Sequence, residues 1–121
     1  MARILIIDDD VHILAMLRMM LERENYDVMD AINGKEGLKR HRKAPADLII
    51  TDIFMPEKNG IETIRELRRD FPGVSIIAMS GGGKNDLGTY LGVAKALGAL
   101  YTFAKPFENE ELLNAVREIL Y

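Results

Sequence analysis

The sequence predicts an α/β fold: a parallel sheet covered by helices on both faces. Two observations carry this. Short aliphatic runs alternate five times with longer stretches that are apolar at helical spacing. The strongest runs, residues 4–7 (ILII) and 47–51 (DLIIT), are near-continuous and lack polar alternation, the pattern of strands buried on both faces. With 121 residues, 48% of them hydrophobic, the chain suits one domain, 1–121.

Taken in order, residues 4–7 form a first buried strand. Ile13, Leu14, Leu17, Met20 and Leu21 then recur at helical spacing. Residues 26–31 (YDVMDA) read as a weaker strand nearer an edge. Asn33-Gly34 reads as a turn, followed by a helix to about Arg42. Residues 47–51 are the third strand. Ile61, Ile64, Leu67 and Phe71 mark a third helix that Pro72-Gly73 ends. Residues 74–79 (VSIIAM) give a fourth strand, followed by Gly81-Gly82-Gly83. The fourth helix carries Tyr90, Leu91, Ala94 and Leu97, with Gly98 as its stop. Residues 100–104 (LYTFA) are the last strand, and Leu112, Leu113, Val116, Ile119 and Leu120 stripe the closing helix. Right-handed crossovers leave few topologies for such a chain. The flavodoxin-like (βα)5 arrangement, strand order 2-1-3-4-5, fits this length.

Composition excludes several functions. There are no cysteines, hence no disulfide, thiol nucleophile or zinc–thiolate site. A net charge of −3 gives no basis for nucleic-acid binding by this domain. The basic run Lys39, Arg40, His41, Arg42, Lys43 falls where a helix should end, where cations are favoured, and reads as a solvated helix end. No apolar stretch approaches membrane-spanning length, so a cytoplasmic protein is expected. The methionines read mostly as core filler.

In a doubly wound sheet, ligands bind beyond the carboxyl ends of the strands. Asp8, Asp9 and Asp10 follow the first strand, Asp52 the third, Ser80 the fourth, and Lys105-Pro106 the fifth. Adjacent carboxylates repel and raise one another's pKa, so the acidic group needs a positive partner. Carboxylates, a hydroxyl and an ammonium together suit Mg²⁺ and a phosphoryl group, since Mg²⁺ takes oxygen ligands and often one or two carboxylates plus phosphate. Asp10 reads as the cap of the first helix, and His12 as a surface or partly packed residue.

The set Asp8-Asp9, Asp52 within TDIFMPEKNG, Ser80 and Lys105-Pro106-Phe107 resembles the response-regulator receiver domain of two-component signalling, in family order and over essentially the whole chain. The resemblance implies that Asp52 is the phosphoacceptor, charged by a histidine kinase or histidine phosphotransfer protein. It implies that Asp8, Asp9, Asp52 and the backbone carbonyl of Phe54 form the Mg²⁺ site, Asp9 directly and Asp8 largely through water. Lys105 and Ser80 would contact phosphoryl oxygens, and the Lys105–Pro106 bond would be cis. Gly60 resembles the family's turn glycine. Such a domain is a signalling phosphoacceptor that catalyses only its own phosphorylation and dephosphorylation, a monomer or weak dimer acting on an output partner that the sequence does not name.

Two rivals use the same residues. Asp8-x-Asp10 resembles the nucleophile motif of haloacid-dehalogenase-type phosphatases, with Asp8 attacking, but leaves Asp52 and Lys105-Pro106 unexplained. A receiver-like interaction module without phosphorylation leaves the intact acidic and basic residues without a use. Other phosphate and metal motifs fail on residues: Asn85 stands where a P-loop needs Ser or Thr, and Ile13 where an EF-hand needs glycine. One position departs from the family. The aromatic switch residue of the fifth strand falls at Thr102, while Tyr101 and Phe103 alternate to the other face. Ser80 keeps its switch role, and output is expected to run through residues 81–90, with Tyr90.

Overall fold

The computed structural model describes residues 1–53, 60–81 and 87–121, the side chains of 87–91 excepted. Among these residues five strands and five helices alternate. The order is β1 (Arg3–Ile7), α1 (Val11–Arg23), β2 (Asp27–Ala31), α2 (Gly34–Lys43), β3 (Leu48–Asp52), α3 (Gly60–Asp70), β4 (Ser75–Ser80), α4 (Leu87–Ala96), β5 (Tyr101–Ala104) and α5 (Asn109–Leu120). The sheet is parallel throughout, in the order β2-β1-β3-β4-β5. The expected flavodoxin-like topology is therefore present, with the weak second strand at an edge.

The period of two along each strand divides the core. Leu5, Ile7, Ile49, Ile76 and Ala78 pack with Leu38, Ile64, Leu67 and Ala94 of α2, α3 and α4. Ile4, Ile6, Leu48, Ile50, Ile77 and Met79 pack with residues of α1 and α5 on the opposite face, Leu17 and Val116 among them. β3 is buried at all five of its positions. Its apolar run is continuous because each side chain, up or down, meets a helix layer.

Local chemistry sets the helix starts. The Asp10 carboxylate accepts hydrogen bonds from the backbone N–H groups of His12 (2.9 Å) and Ile13 (3.4 Å), the expected cap. His12 itself is exposed. Asn33 does the same for α2, accepting from Glu36 N at 2.8 Å. The Asn33-Gly34 pair is thus a helix cap and first helical residue, a correction to the reading as a plain turn. Asn serves both uses because its short side chain bonds nearby backbone. Gly98 ends α4 with φ +110° and its N–H bonded to Lys95 O.

Two further expectations need correcting. Among the described methionines only Met79 is fully buried, while Met16 and Met19 are 36% and 56% exposed. The buried stripe of α1 runs through Leu14, Leu17 and Leu21, and positions 16 and 19 fall off it. The basic end of α2 is solvated at Lys39, Arg40, Arg42 and Lys43, but His41 is 2% exposed. Its Nδ1 accepts from Ala46 N at 3.0 Å and its ring meets Phe71 edge-on at 4.5 Å. Burial lowers its pKa, so it sits in the fold as a neutral ring.

Gly60 shows how closely α3 approaches the end of β3. A Cβ there would lie 2.2 Å from Asp52 O and 2.6 Å from Ile53 Cα, both backbone atoms. At Gly37 the obstruction is the tip of a side chain, Ile7 Cδ1 at 2.3 Å. A side-chain tip can rotate aside and a strand backbone cannot. Alanine also gains about 1 kcal/mol of helix propensity over glycine. We therefore expect Gly60→Ala to lower the unfolding free energy by about 3 kcal/mol and Gly37→Ala by about 1 kcal/mol or less. Denaturant titrations of both variants check the ranking; equal losses would contradict it.

Candidate functional site

The strand ends bring the site together through register. Ile7 lies opposite Ala31 and Thr51, so Asp8 and Asp52 emerge side by side, one residue further on. Ser80 lies opposite Ala104, and Lys105 N donates to Ser80 O at 2.8 Å. Asp8, Asp52 and Ser80 are buried, and Asp9 is exposed. The Lys105–Pro106 peptide is cis.

Asp8 is held at both oxygens. Oδ1 accepts from Asp10 N at 2.9 Å and Oδ2 from Lys105 Nζ at 2.7 Å. Lys105 Nζ also stands 3.4 Å from Asp52 Oδ1, an ion pair without hydrogen-bond geometry. Asp52 Oδ1 is thus buried with no hydrogen-bond partner. Such an orphan oxygen is costly unless something else uses it. Asp8, Asp9 and Asp52 each offer a carboxylate oxygen, and these atoms lie within 4.8 Å of one another. Three oxygen donors, one exposed and one lacking a hydrogen bond, fit a hard divalent cation such as Mg²⁺.

The electrostatics follow from this packing. Burial, and next the Asp8 charge, raise the pKa of Asp52 from 3.8 to about 6, while Lys105 opposes the rise. For Lys105, burial disfavours the charged form, but the Asp8 hydrogen bond and the charges of Asp52 and Asp8 together outweigh it and leave its pKa raised. The ammonium therefore stays charged and serves two carboxylates at once.

Asp8, Asp9, Asp52, Ser80 and Lys105 converge at this one end of the sheet, whereas Thr102 lies further back on β5, opposite Ala78. Phe54, expected to lend its carbonyl, lies outside the described segments, as do Met55-Pro56, residues 82–86 and the Tyr90 side chain. Tyr101 and Phe103 pack against the α1–α5 layer, so alternation puts the half-buried Thr102 on the α4 side. Asp10, which the phosphatase reading needs as acid/base, is occupied as a helix cap. The sequence missed the contact between Gly81 and Lys105: a Cβ on Gly81 would lie 3.1 Å from Lys105 Cδ. No pattern in the chain could reveal it, since the two residues meet only through β4–β5 pairing.

Because the folded-state pKa of Asp52 is raised, its proton stabilises the fold fully below 3.8, and this is lost as pH rises through about 6. In metal-free protein the ionised Asp52 consequently weighs against the fold at neutral pH. Asp52→Asn should raise the unfolding free energy above about pH 7 by up to roughly 3 kcal/mol, a gain that shrinks towards about pH 4. Denaturant titrations in chelator across that range check this. A gain that does not vary with pH would contradict it.

The comparisons with known proteins agree with this geometry. A model of the response regulator receiver domain family matches residues 4–117. The transcriptional regulatory protein CpxR homolog of Haemophilus influenzae is 35% identical over 120 residues, 99% of this chain and 51% of that protein. Sporulation initiation phosphotransferase F of Bacillus subtilis is 33% identical over 118 residues, 98% of this chain and 93% of that protein. The chain thus spans about half the length of the first relative and nearly all of the second. The crystal structure of a response regulator receiver domain protein from Clostridium thermocellum superposes with a TM-score of 0.90 at 30% identity, covering 99% of this chain and 94% of that one. With an acidic cluster, a buried hydroxyl and a lysine gathered at the strand ends of a 2-1-3-4-5 sheet, the chain belongs to the response-regulator receiver domain family.

Proposed function

We propose that the Asp52 carboxylate accepts a phosphoryl group from a phosphohistidine of a histidine kinase or histidine phosphotransfer protein. A carboxylate oxygen forms the new O–P bond while the P–N bond breaks and the imidazole nitrogen leaves with the electron pair. Aspartyl phosphates of this kind are an established form of covalent catalysis. The observation that carries the reading is Asp52 Oδ1, buried without a hydrogen bond yet beside an ammonium and within an acidic cluster. A carboxylate kept only for stability would use both oxygens, as Asp8 does.

Asp9 and Asp52, with the Phe54 carbonyl, would hold Mg²⁺, and Asp8 would act largely through water because its own oxygens are engaged. When bound, the ion offsets charge on the transferring phosphoryl oxygens. Lys105 supplies a fixed positive charge for one phosphoryl oxygen and Ser80 a hydroxyl for another. At the margin of the site the exposed Met16 lines a groove with Pro106 and Phe107, an adaptable apolar surface that a docking protein would cover. Phosphorylation would then bias the domain towards an output-competent state through Ser80, without an aromatic swing at Thr102.

A small-molecule phosphodonor with Mg²⁺ tests the assignment. The wild type should be labelled once and Asp52→Asn not at all, as read by intact-protein mass. Label surviving in Asp52→Asn, on Asp8 or elsewhere, would overturn the reading.

A further inference from the structure

His41 is a buried ionisable group that the strand-end site does not use. Its Nδ1 accepts from Ala46 N at 3.0 Å, so the ring proton sits on Nε2. The ring also meets Phe71, the residue after α3, edge-on at 4.5 Å. One imidazole thus joins the end of α2, the connection into β3 and the end of α3. Ala46 leads directly to Asp47, whose N–H donates to Arg3 O at 2.8 Å and whose carboxylate accepts from Arg3 N at 2.7 Å. The strand that follows is the one that ends in Asp52.

Protonation removes the acceptor. When Nδ1 takes a proton from solvent, two N–H donors face each other where a hydrogen bond stood. The charges around the ring are committed elsewhere. Arg42 pairs with Glu66 and Asp70 of α3, and Arg69 with the same two carboxylates. Asp47, which lines a surface cavity with the ring, is bonded to Arg3 N. At the turn into β4, Arg68 donates to Pro72 O at 3.0 Å and to Val74 O. Lys39, Arg40 and Lys43 are exposed. Burial opposes the imidazolium, and no neighbouring charge offsets it.

We infer that His41 is an acid-released latch on the start of β3: neutral, it ties residues 44–47 to α2 and α3, and protonated, it lets that connection open. The cavity beside the ring gives the proton its route. The inference is independent of the phosphoacceptor reading of Asp52. Because the folded-state pKa lies below the ordinary 6.5, the latch is fully closed above about pH 6.5 and weakens as pH falls below it.

The test uses the full chain and two readouts between about pH 7.5 and about pH 5.5. Nitrogen-15 NMR of the imidazoles reports which ring nitrogen carries a proton. Hydrogen exchange, corrected for its intrinsic pH dependence, reports protection of the Ala46 amide. It is taken relative to the amide of Ile50, buried within β3, so that changes in global stability cancel. In the wild type Ala46 should be protected at about pH 7.5, with His41 Nδ1 unprotonated. Its relative protection should fall by up to about tenfold by about pH 5.5, the shift in open fraction for a ring that regains its ordinary pKa on opening. His41→Asn puts an acceptor oxygen in place of Nδ1 and cannot titrate, so protection should hold across the range. His41→Phe keeps a ring against Phe71 without an acceptor, so protection should be low throughout. If either variant fails to fold, the wild-type profile and the imidazole signals decide. A wild-type fall of less than about twofold would overturn the inference. So would a fall that His41→Asn shares, or an Nδ1 already protonated at about pH 7.5.

Discussion

One ammonium shared between two buried carboxylates holds this site together. Lys105 Nζ bonds Asp8 and pairs with Asp52, and those two aspartates sit where strands β1 and β3 run side by side. That positive charge offsets part of the burial and the repulsion from Asp8 that disfavour an ionised Asp52. With it, the balance remains incomplete. Asp52 keeps a raised pKa and an oxygen without a hydrogen bond. The site is therefore left short of positive charge, the condition that a hard divalent cation would relieve.

The fold exists in a form that makes this shortage affordable in stability. A sheet whose central strand is buried at every position supplies two apolar layers, one against α2, α3 and α4 and one against α1 and α5. Helix dipoles and caps absorb part of the charge: Asp10 is spent on the α1 N-terminus instead of adding to the cluster. A close backbone approach then fixes the end of β3. Gly60 lets α3 come up against Asp52.

The surface around the site carries a different chemistry. Met16, exposed on α1, lines a groove with Pro106 and Phe107. Charge and apolar surface thus meet at one edge. A methionine makes such an edge adaptable, because an unbranched thioether side chain conforms to varied neighbours.

Periodicity and strand-end chemistry determined a great deal by themselves. Continuous aliphatic runs could only be doubly buried strands, and the residues following them could only gather at one end of a parallel sheet. Hence Asp8, Asp9, Asp52, Ser80 and Lys105 were legible, as was Asp10 as a cap. The methionines of α1, the burial of His41 and the cap at Asn33 were not. Each depends on which way a side chain faces once helices dock, and side-chain type alone does not encode that direction. The tertiary structure alone decided the finer matter of the site: which aspartate oxygens are occupied and which one is left over. Those facts arise between residues as far apart as Asp8 and Lys105, where distance in the chain says nothing and only the pairing of strands brings the atoms together.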